Sequence, residues 1–515
     1  MKSPGLEIQG AGTVAAGAAA STSVAVPMDG KQRKAPHVHG GSASSGAMFG
    51  GTGLLTLAAR NLRRNLRRSV STSLAVTFGS FAAALFGGYA KNIEFGLETN
   101  IVRAEGHMQI QHRDYLLFGV GAAQNYSVEV PDRIVGALRA DPYLAARVEV
   151  VTPTLMFNGV AGNYDAGLSK SAWAVGVVPE DQQAMRRWNA RDLPIAAGEA
   201  RLVGTPDDTA VIGTGVARIL QLCDVLALSN CARPTPQAQR DAGSQTPEDL
   251  RLLAQGTKPA PSQSKGALLQ LLATTANGAP NVAQLHLQGV EQQGIRVVDD
   301  TFVGVHMPLA QRLLFGPGAL PRATSIVLQL RNTQDTDAVR RHVQVMLERE
   351  FPQQSLAVND FRTLVPPFVQ TMRLVHVIFA FIGVLIMVIV TFAVSNTMSM
   401  AVVERTVEIG TLRAMGVRRA GIQRLFVLEG VMLGAGGSAL GLVAAALAAT
   451  GVGALGLTWV PPGYVTPMPL SIPVLGQWGL MGGVVTALVA VSAVSSYWPA
   501  RRASRLVVVD ALRHV

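Results

Sequence analysis

No charged residue occurs between Gly430 and Ala500, and none between Val377 and Val403. A helix that crosses a bilayer needs roughly 20 consecutive apolar residues, and runs this free of charge are foreign to a soluble core. Signatures of an engine are missing as well. The chain has no Gly-x-x-x-x-Gly-Lys-Ser/Thr phosphate loop, no His-Glu-x-x-His, no Cys-x-x-Cys and no Gly-x-Ser-x-Gly, which leaves no motif for ATP binding, zinc hydrolysis or serine chemistry. His37 and His39 lie in a segment too poor in apolar residues to build a metal site, and His107, His112, Asp299 and Asp300 are isolated polar residues with solvent-facing or strand-end roles. Only two cysteines are present, Cys223 and Cys231. They are either unrelated thiols or, in an oxidising compartment, a local disulfide; the short separation favours the disulfide.

What is present is a set of four apolar runs, at about Ser71–Ala90, Val375–Thr397, Leu425–Leu447 and Leu475–Tyr497, the last two separated by Pro461-Pro462-Gly463. The first begins some seventy residues in, unlike a cleavable signal sequence. Charge orients them. Residues 1–70, 399–424 and 499–515 together carry 18 basic and 5 acidic residues, while the rest carries 26 basic and 28 acidic. The whole excess of +11 therefore falls on one side of the proposed membrane. By the positive-inside rule both termini and the 399–424 loop are cytoplasmic and residues 91–374 lie outside. Basic flanks of spans account for the high pI without nucleic acid. The spans lack the buried acids or lysines of a proton-coupled carrier. Glu429, about one turn inside the third span, is the exception, with a structural role expected: snorkelling, or pairing with Arg424 or Arg413.

Along the chain, residues 1–52 form a tail rich in Ala, Gly, Ser and Thr that is expected to be disordered. Residues 53–70 are amphipathic: Arg60, Arg63, Arg64, Arg67 and Arg68 gather on one helical face, and Leu55, Ala58, Ala59, Leu62 and Leu66 on the other, as in a helix lying on the cytoplasmic leaflet. A first span, 71–90, follows. Residues 91–374 are too long for a loop. Strand patterns at Met108–Gln111, Arg147–Val151, Trp173–Val178, Ala283–Val290 and Ser325–Leu330 alternate with helical stretches at Asp132–Ala140, Pro308–Leu314 and Thr336–Phe351, the last with Asp335 and Thr336 as capping residues. An α+β domain is expected, interrupted by an irregular insertion at 224–265. Residues 375–515 hold the other three spans and a cytoplasmic tail, 499–515. The fold class is thus an α-helical membrane protein with four transmembrane helices and a large α+β extracytoplasmic domain between helices one and two. Gly430/Gly434, Gly437/Gly441 and Gly479/Gly483 are small-xxx-small pairs suited to close helix packing, within one subunit or across a dimer.

The loop before the third span carries the most specific motif. Val403, Val407, Leu412 and Met415 fall near helical spacing, with Gly410 and Gly416 as places to bend, so that a short amphipathic helix can fit a groove on a cytosolic protein. Glu404-Arg405-Thr406-Val407-Glu408-Ile409-Gly410-Thr411-Leu412-Arg413-Ala414-Met415-Gly416, followed by Arg424-Leu425-Phe426-Val427-Leu428-Glu429-Gly430, resembles the core signature of the FtsX/MacB-type permeases of ABC transporters. Pro499-Ala500-Arg501-Arg502-Ala503-Ser504-Arg505-Leu506…Ala511-Leu512-Arg513 is similar to that family's C-terminal signature, with Val507-Val508 where the family usually has Asp-Pro. Ala59-Arg60-Asn61-Leu62-Arg63-Arg64-Asn65 resembles its N-terminal elbow. Gly106–Ile110, Ala174–Pro179, Val211–Leu220 and Leu271–Leu314 resemble the lipoprotein-releasing LolC/LolE branch. The 1–50 tail and the 224–265 insertion match neither.

The resemblance implies a non-catalytic inner-membrane permease subunit, with no cofactor of its own and ATP bound by a partner. A separate cytosolic ABC ATPase dimer would bind a coupling helix at about 408–419 and the elbow; Glu404, Arg405, Glu408, Ile409, Gly410, Leu412, Arg413, Met415 and Gly416 are the implied coupling residues. A second permease subunit, identical or not, a periplasmic lipoprotein carrier and membrane lipid are the other implied partners. Lipoprotein release leads. MacB-like efflux is the alternative, weakened because residues 1–50 are too short for an N-terminal ATPase. FtsX-like activation of a cell-wall hydrolase ranks last, since its outer domain is typically smaller.

Overall fold

A computed structural model of the chain describes residues 51–508, except 65, 120, 124, 165, 196, 229–266, 461–462 and 466. The chain divides into two units, Met1–Gly53 and Leu54–Val515; almost all of the first, and residues 229–265 of the expected insertion, lie outside the described residues. Cys223 is disulfide-bonded; Cys231, the chain's only other cysteine, also lies outside them.

Four helices are long and apolar enough to cross a membrane: Leu66–Glu105, Pro366–Glu404, Arg419–Ala454 and Trp478–Ser504. All outrun the apolar stretches that mark them. The first begins five residues before the expected span, directly after an elbow helix at Gly51–Arg64, and continues fifteen residues past it. The second begins at Pro366, not at 375, with proline in the first turn where the missing N–H costs nothing. On the first helix's sheet-side extension the polar Asn92, Glu98 and Thr99 are buried, whereas Gln370, Thr371 and Arg373 on the second helix's extension are exposed.

That domain is built on a nine-stranded sheet in the order β11-β1-β10-β3-β4-β8-β5-β7-β6, with a further β3–β6 pairing. The domain's strands are β1 (Met108–His112), β2 (Val128–Glu129), β3 (Val148–Asn163), β4 (Leu168–Val177), β5 (Thr209–Ile212), β6 (Leu268–Thr274), β7 (Pro280–Val290), β8 (Phe302–His306), β9 (Arg322–Ala323), β10 (Ser325–Leu330) and β11 (Leu356–Asp360), of which β2 and β9 pair with each other outside the large sheet. The sixteen-residue β3 serves two lobes. Its first half, Val148–Thr154, pairs with β10, and β1 and β11 extend that sheet. Its second half pairs with β4 on one edge and β6 on the other, so β3-β4-β8-β5-β7-β6 closes into a ring. Closure removes the unpaired edges. Each lobe has its own core. Met108, Ile110, Leu328 and Leu330 meet helices Pro131–Ala140 and Thr336–Glu350 in the first, and Leu155, Leu269, Leu271 and Leu285 fill the ring.

Two expectations about polar residues are corrected here. Asp335 makes no side-chain cap bond, because a 3-10 turn at Thr333–Asp335 precedes the helix and Thr336 Oγ1 donates to Thr333 O (2.7 Å) instead. His107 and Asp299 are not solvent-facing; both are buried, and His107 takes the strand-end place expected of it, directly before β1. His107 accepts from Leu330 N at Nδ1 (2.9 Å), leaving Nε2 to donate to Thr333 Oγ1 (3.1 Å), which donates to Glu98 Oε1 on the first long helix (2.6 Å). Burial lowers the His107 pKa to about 3, so the ring is neutral and can act as both acceptor and donor. Trp188 packs edge-on to it at 5.0 Å, and Gln329 Nε2 donates to Val102 O at 3.1 Å. The first long helix is thus bolted to β10 by an interior polar chain.

In the helix bundle Gly430, Gly434, Gly437 and Gly441 of the third long helix are closed by this chain's own neighbours. A Cβ on Gly430 or Gly434 would meet Ser496 or Ser492, one on Gly437 would meet Val76, and one on Gly441 would meet the Thr77 carbonyl at 2.4 Å. Gly479 and Gly483 have nothing within 4 Å. The first two pairs therefore pack within the chain.

Candidate functional site

At the end of the bundle away from the sheet, the second long helix stops at Glu404, and a separate short helix, Thr406–Ala414, turns off it. Thr406 and Thr411 bond back to carbonyls of the preceding turn, a local competition that makes such residues natural at helix breaks. Gly416, at φ +91°, makes the left-handed turn that ends the helix, and the third long helix starts at Arg419. The expected 408–419 helix is thus shifted toward the N-terminus, with a turn at Met415–Gly416 and irregular chain at 417–418.

Arg405 sits at the break. Its side chain is 7% exposed and that of Glu429 2%. Arg405 Nη1 donates to Glu429 Oε1 (3.1 Å), and Nη2 donates to the Asn61 carbonyl of the elbow helix (3.1 Å). Asn61 Nδ2 completes the triangle, donating to Glu429 Oε1 (2.7 Å). Glu429 therefore pairs with Arg405 and Asn61, not with Arg424 or Arg413: the elbow folds under the third helix and brings its amide there. Two outer ties parallel this one. Arg68 holds Glu404 with two N–H donors (2.5 and 2.7 Å), and Arg64 pairs with Glu408. Arg64 thus ties the elbow to the short helix, and Arg68 ties the start of the first long helix to the end of the second.

These contacts sort the nine candidate coupling residues. Arg405, Ile409 and Gly410 are buried in the chain's own interior; Leu412 and Arg413 are half-buried, with Leu412 packed on the bundle core. Glu404 and Glu408 are exposed but engaged, the first by Arg68 at the start of the first long helix and the second by Arg64 of the elbow. Met415, 72% exposed, and Gly416 face outward, as do Val403 and Val407. Asn61, Arg64 and Arg68 belong to the same site and were not read from sequence as its members; the clustered arginines opposite two acids were the available signal.

At the sheet-side end of the bundle a cavity of about 210 Å³ lies between the first and second long helices and a hairpin, β12 (Thr458–Trp459) and β13 (Met468–Pro469). Ile93, Leu97, Val375 and Met468 give it apolar walls, while Asn92 and Thr371 supply polar groups. Phe368 packs beside it with Met372. Among the described residues no cluster of His, Cys, Asp or Glu could hold a metal.

Residues 380–508 match the family described as FtsX-like permease C-terminal. An ABC transporter permease of Methanocaldococcus jannaschii is 25% identical over 215 residues, 42% of this chain and 51% of that protein. A macrolide export ATP-binding/permease protein, MacB, of Sodalis glossinidius is 28% identical over 235 residues, 44% of this chain and 34% of its own length. A protein of the same name from Rhodopirellula baltica is 35% identical over 121 residues, 24% of this chain and 16% of its own. The chain thus matches about half or less of these relatives. Four membrane-length helices, the short helix braced at their turn and these similarities together describe a multi-pass membrane chain whose C-terminal part, residues 380–508, matches the FtsX-like permease family.

Proposed function

We propose that this chain is the permease subunit of a transporter driven by a separate cytosolic ATPase dimer, and that it releases lipoproteins from the outer leaflet of the inner membrane. The observation that carries the coupling half is the exposed apolar rim formed by Val403, Val407 and Met415 on a loop otherwise clamped by ion pairs. A rigidly held helix with unpartnered apolar side chains suits a groove on a partner, and clamping lets a push on it reach the bundle. The first long helix runs without a break from this end into the sheet's foundation, 40 residues or roughly 60 Å at 1.5 Å each, so tilting it moves the outer domain. In this reading both termini and the 399–424 loop are cytoplasmic and the sheet is periplasmic.

The cavity at Ile93, Leu97 and Val375 supports the substrate half, since each acyl methylene buried contributes ~0.8 kcal/mol without any dedicated polar pocket. Phe86 and Val369 are exposed nearby in sequence for further chain contact, with Tyr89 half-buried. Depletion should strand lipoproteins in the inner membrane, and a photo-crosslinker at Phe368 should capture an acylated protein. Efflux is the second reading, favoured by the relatives named as macrolide exporters; normal lipoprotein sorting with raised sensitivity to small toxic compounds would select it.

A further inference from the structure

The hairpin between the third and fourth long helices does more than connect them. On one side it lies along the first long helix, where Asn92 Nδ2 donates to Pro469 O (3.4 Å) and Ser471 Oγ donates to Asn92 Oδ1 (2.6 Å). On the other it grips the domain built on the sheet: Arg296 N donates to Gly463 O (2.8 Å), Val465 N donates to Gly294 O (2.7 Å), and Ile295 forms an antiparallel bridge to Tyr464. Tyr464 also lines the cavity with Leu97 and Val375, at the level where the second long helix passes from charged to uncharged sequence. The segment after Ile295 is therefore pinned close to the plane where the helices enter their apolar zone.

That segment is a one-turn helix, Arg296–Asp299, with inverted polarity. Its acid points inward: Asp299 is 2% exposed and its carboxylate accepts from Gly215 N and Gln293 N, both at 3.2 Å. Its valines point outward, Val297 at 75% exposure with Val298 exposed beside it. A turn meeting water places charge outside and valine inside, because burying an acid is costly and exposing apolar area forfeits its transfer energy. The inversion fits a non-aqueous neighbour. Leu455, Leu457, Val460, Leu475 and Trp478, on the hairpin and the helix ends that flank it, are exposed as well. Tryptophan is characteristic of the membrane interface.

We infer that Arg296–Asp299 is a membrane foot of the sheet domain: Val297 and Val298 enter the interfacial layer of the phospholipid leaflet, and Arg296 lies at headgroup level with its stem on the apolar boundary. The occupant is the bilayer itself, since the patch continues the surface of four helices that already face lipid. The foot and the hairpin would together fix the height of the domain above the membrane.

The test uses the full chain in nanodiscs of phosphatidylethanolamine and phosphatidylglycerol, with Val297→Cys carrying a polarity-sensitive fluorophore and the exposed Val345→Cys on helix Thr336–Glu350 as reference. Acyl-chain nitroxide lipid should quench the Val297→Cys label several-fold more than the reference, iodide should do the reverse, and Val298→Cys should follow Val297→Cys. Equal iodide quenching at both positions would overturn the inference. So would protection from both quenchers, which would mark a face covered by protein, a second copy or a partner.

Discussion

At the scale of single residues, the Arg405–Glu429–Asn61 triangle and the Arg64–Glu408 pair look alike on paper and differ in energy. A buried pair that loses one partner leaves an uncompensated charge, at a cost of about 3–5 kcal/mol, whereas exposed pairs contribute about 0–1 kcal/mol. Arg405→Ala should therefore lower the thermal stability of the detergent-solubilised protein sharply, and Arg64→Ala, at a site 60% exposed, should scarcely move it. Equal effects in melting curves would contradict the assignment of the triangle as the structural clamp. His107 sets a pH dependence whose sign is fixed. Its folded pKa, about 3, lies below the unfolded value near 6.5, so the unfolded chain takes up a proton first as pH falls. Stability is complete above about 6.5 and declines by up to ~1.4 kcal/mol per pH unit below it. Chemical denaturation at pH 7 and pH 5 should show this loss, and His107→Gln should flatten it. That Glu429 is special was legible, as the only acid inside one of the four proposed spans. Its partners were not, because Asn61 lies 368 residues away in sequence and reaches it only after the elbow folds back.

Among elements, helix packing depends on small residues at some positions and is indifferent to them at others. Gly441→Val would drive a side chain into the Thr77 carbonyl and Ser80 of the first long helix and should abolish monodisperse extraction; Gly483→Val, with open space around it, should leave the purified protein folded. Size-exclusion profiles of the two variants decide this. The coupling helix makes a second element-scale prediction. Val407→Asp and Met415→Asp, both outward-facing, should abolish co-purification of the ATPase while the protein still inserts. Leu412→Asp is a poorer probe, since it would strike the bundle core. Glu408→Lys would also repel Arg64 of the elbow, and retained ATPase binding in all of these variants would remove the coupling assignment. Strands with a clear pattern were readable: Met108–Gln111 and Ser325–Leu330 fall within or on observed strands. Thr209–Ile212 and Phe302–His306 were not, because they are short and their sequences, Thr-Ala-Val-Ile and Phe-Val-Gly-Val-His, carry no marked run of polar and apolar residues to set them off from their surroundings. Arg147–Val151 marked only the beginning of β3, whose second half belongs to the ring.

For the whole molecule, orientation is testable with exposed positions. A cysteine at Val507 should be shielded from an impermeant thiol reagent in intact cells and one at Glu180 labelled; Ser504, although in the tail, is buried and unsuitable. Labelling of Val507→Cys from outside would reverse the proposed topology. By itself the sequence determined that the chain spans a membrane, roughly where it does so, and which loop carries the family's signature, because hydrophobic length, charge placement and local motif are properties of contiguous residues. Tertiary structure alone decided which of those motif residues face out, that β3 closes a ring, that His107 and Asp299 are interior, and that the last hairpin grips Gly294–Arg296. Each depends on segments tens to hundreds of residues apart meeting at hydrogen-bond distance. Burial and pairing are set by what arrives from elsewhere in the chain, and no local pattern encodes that arrival.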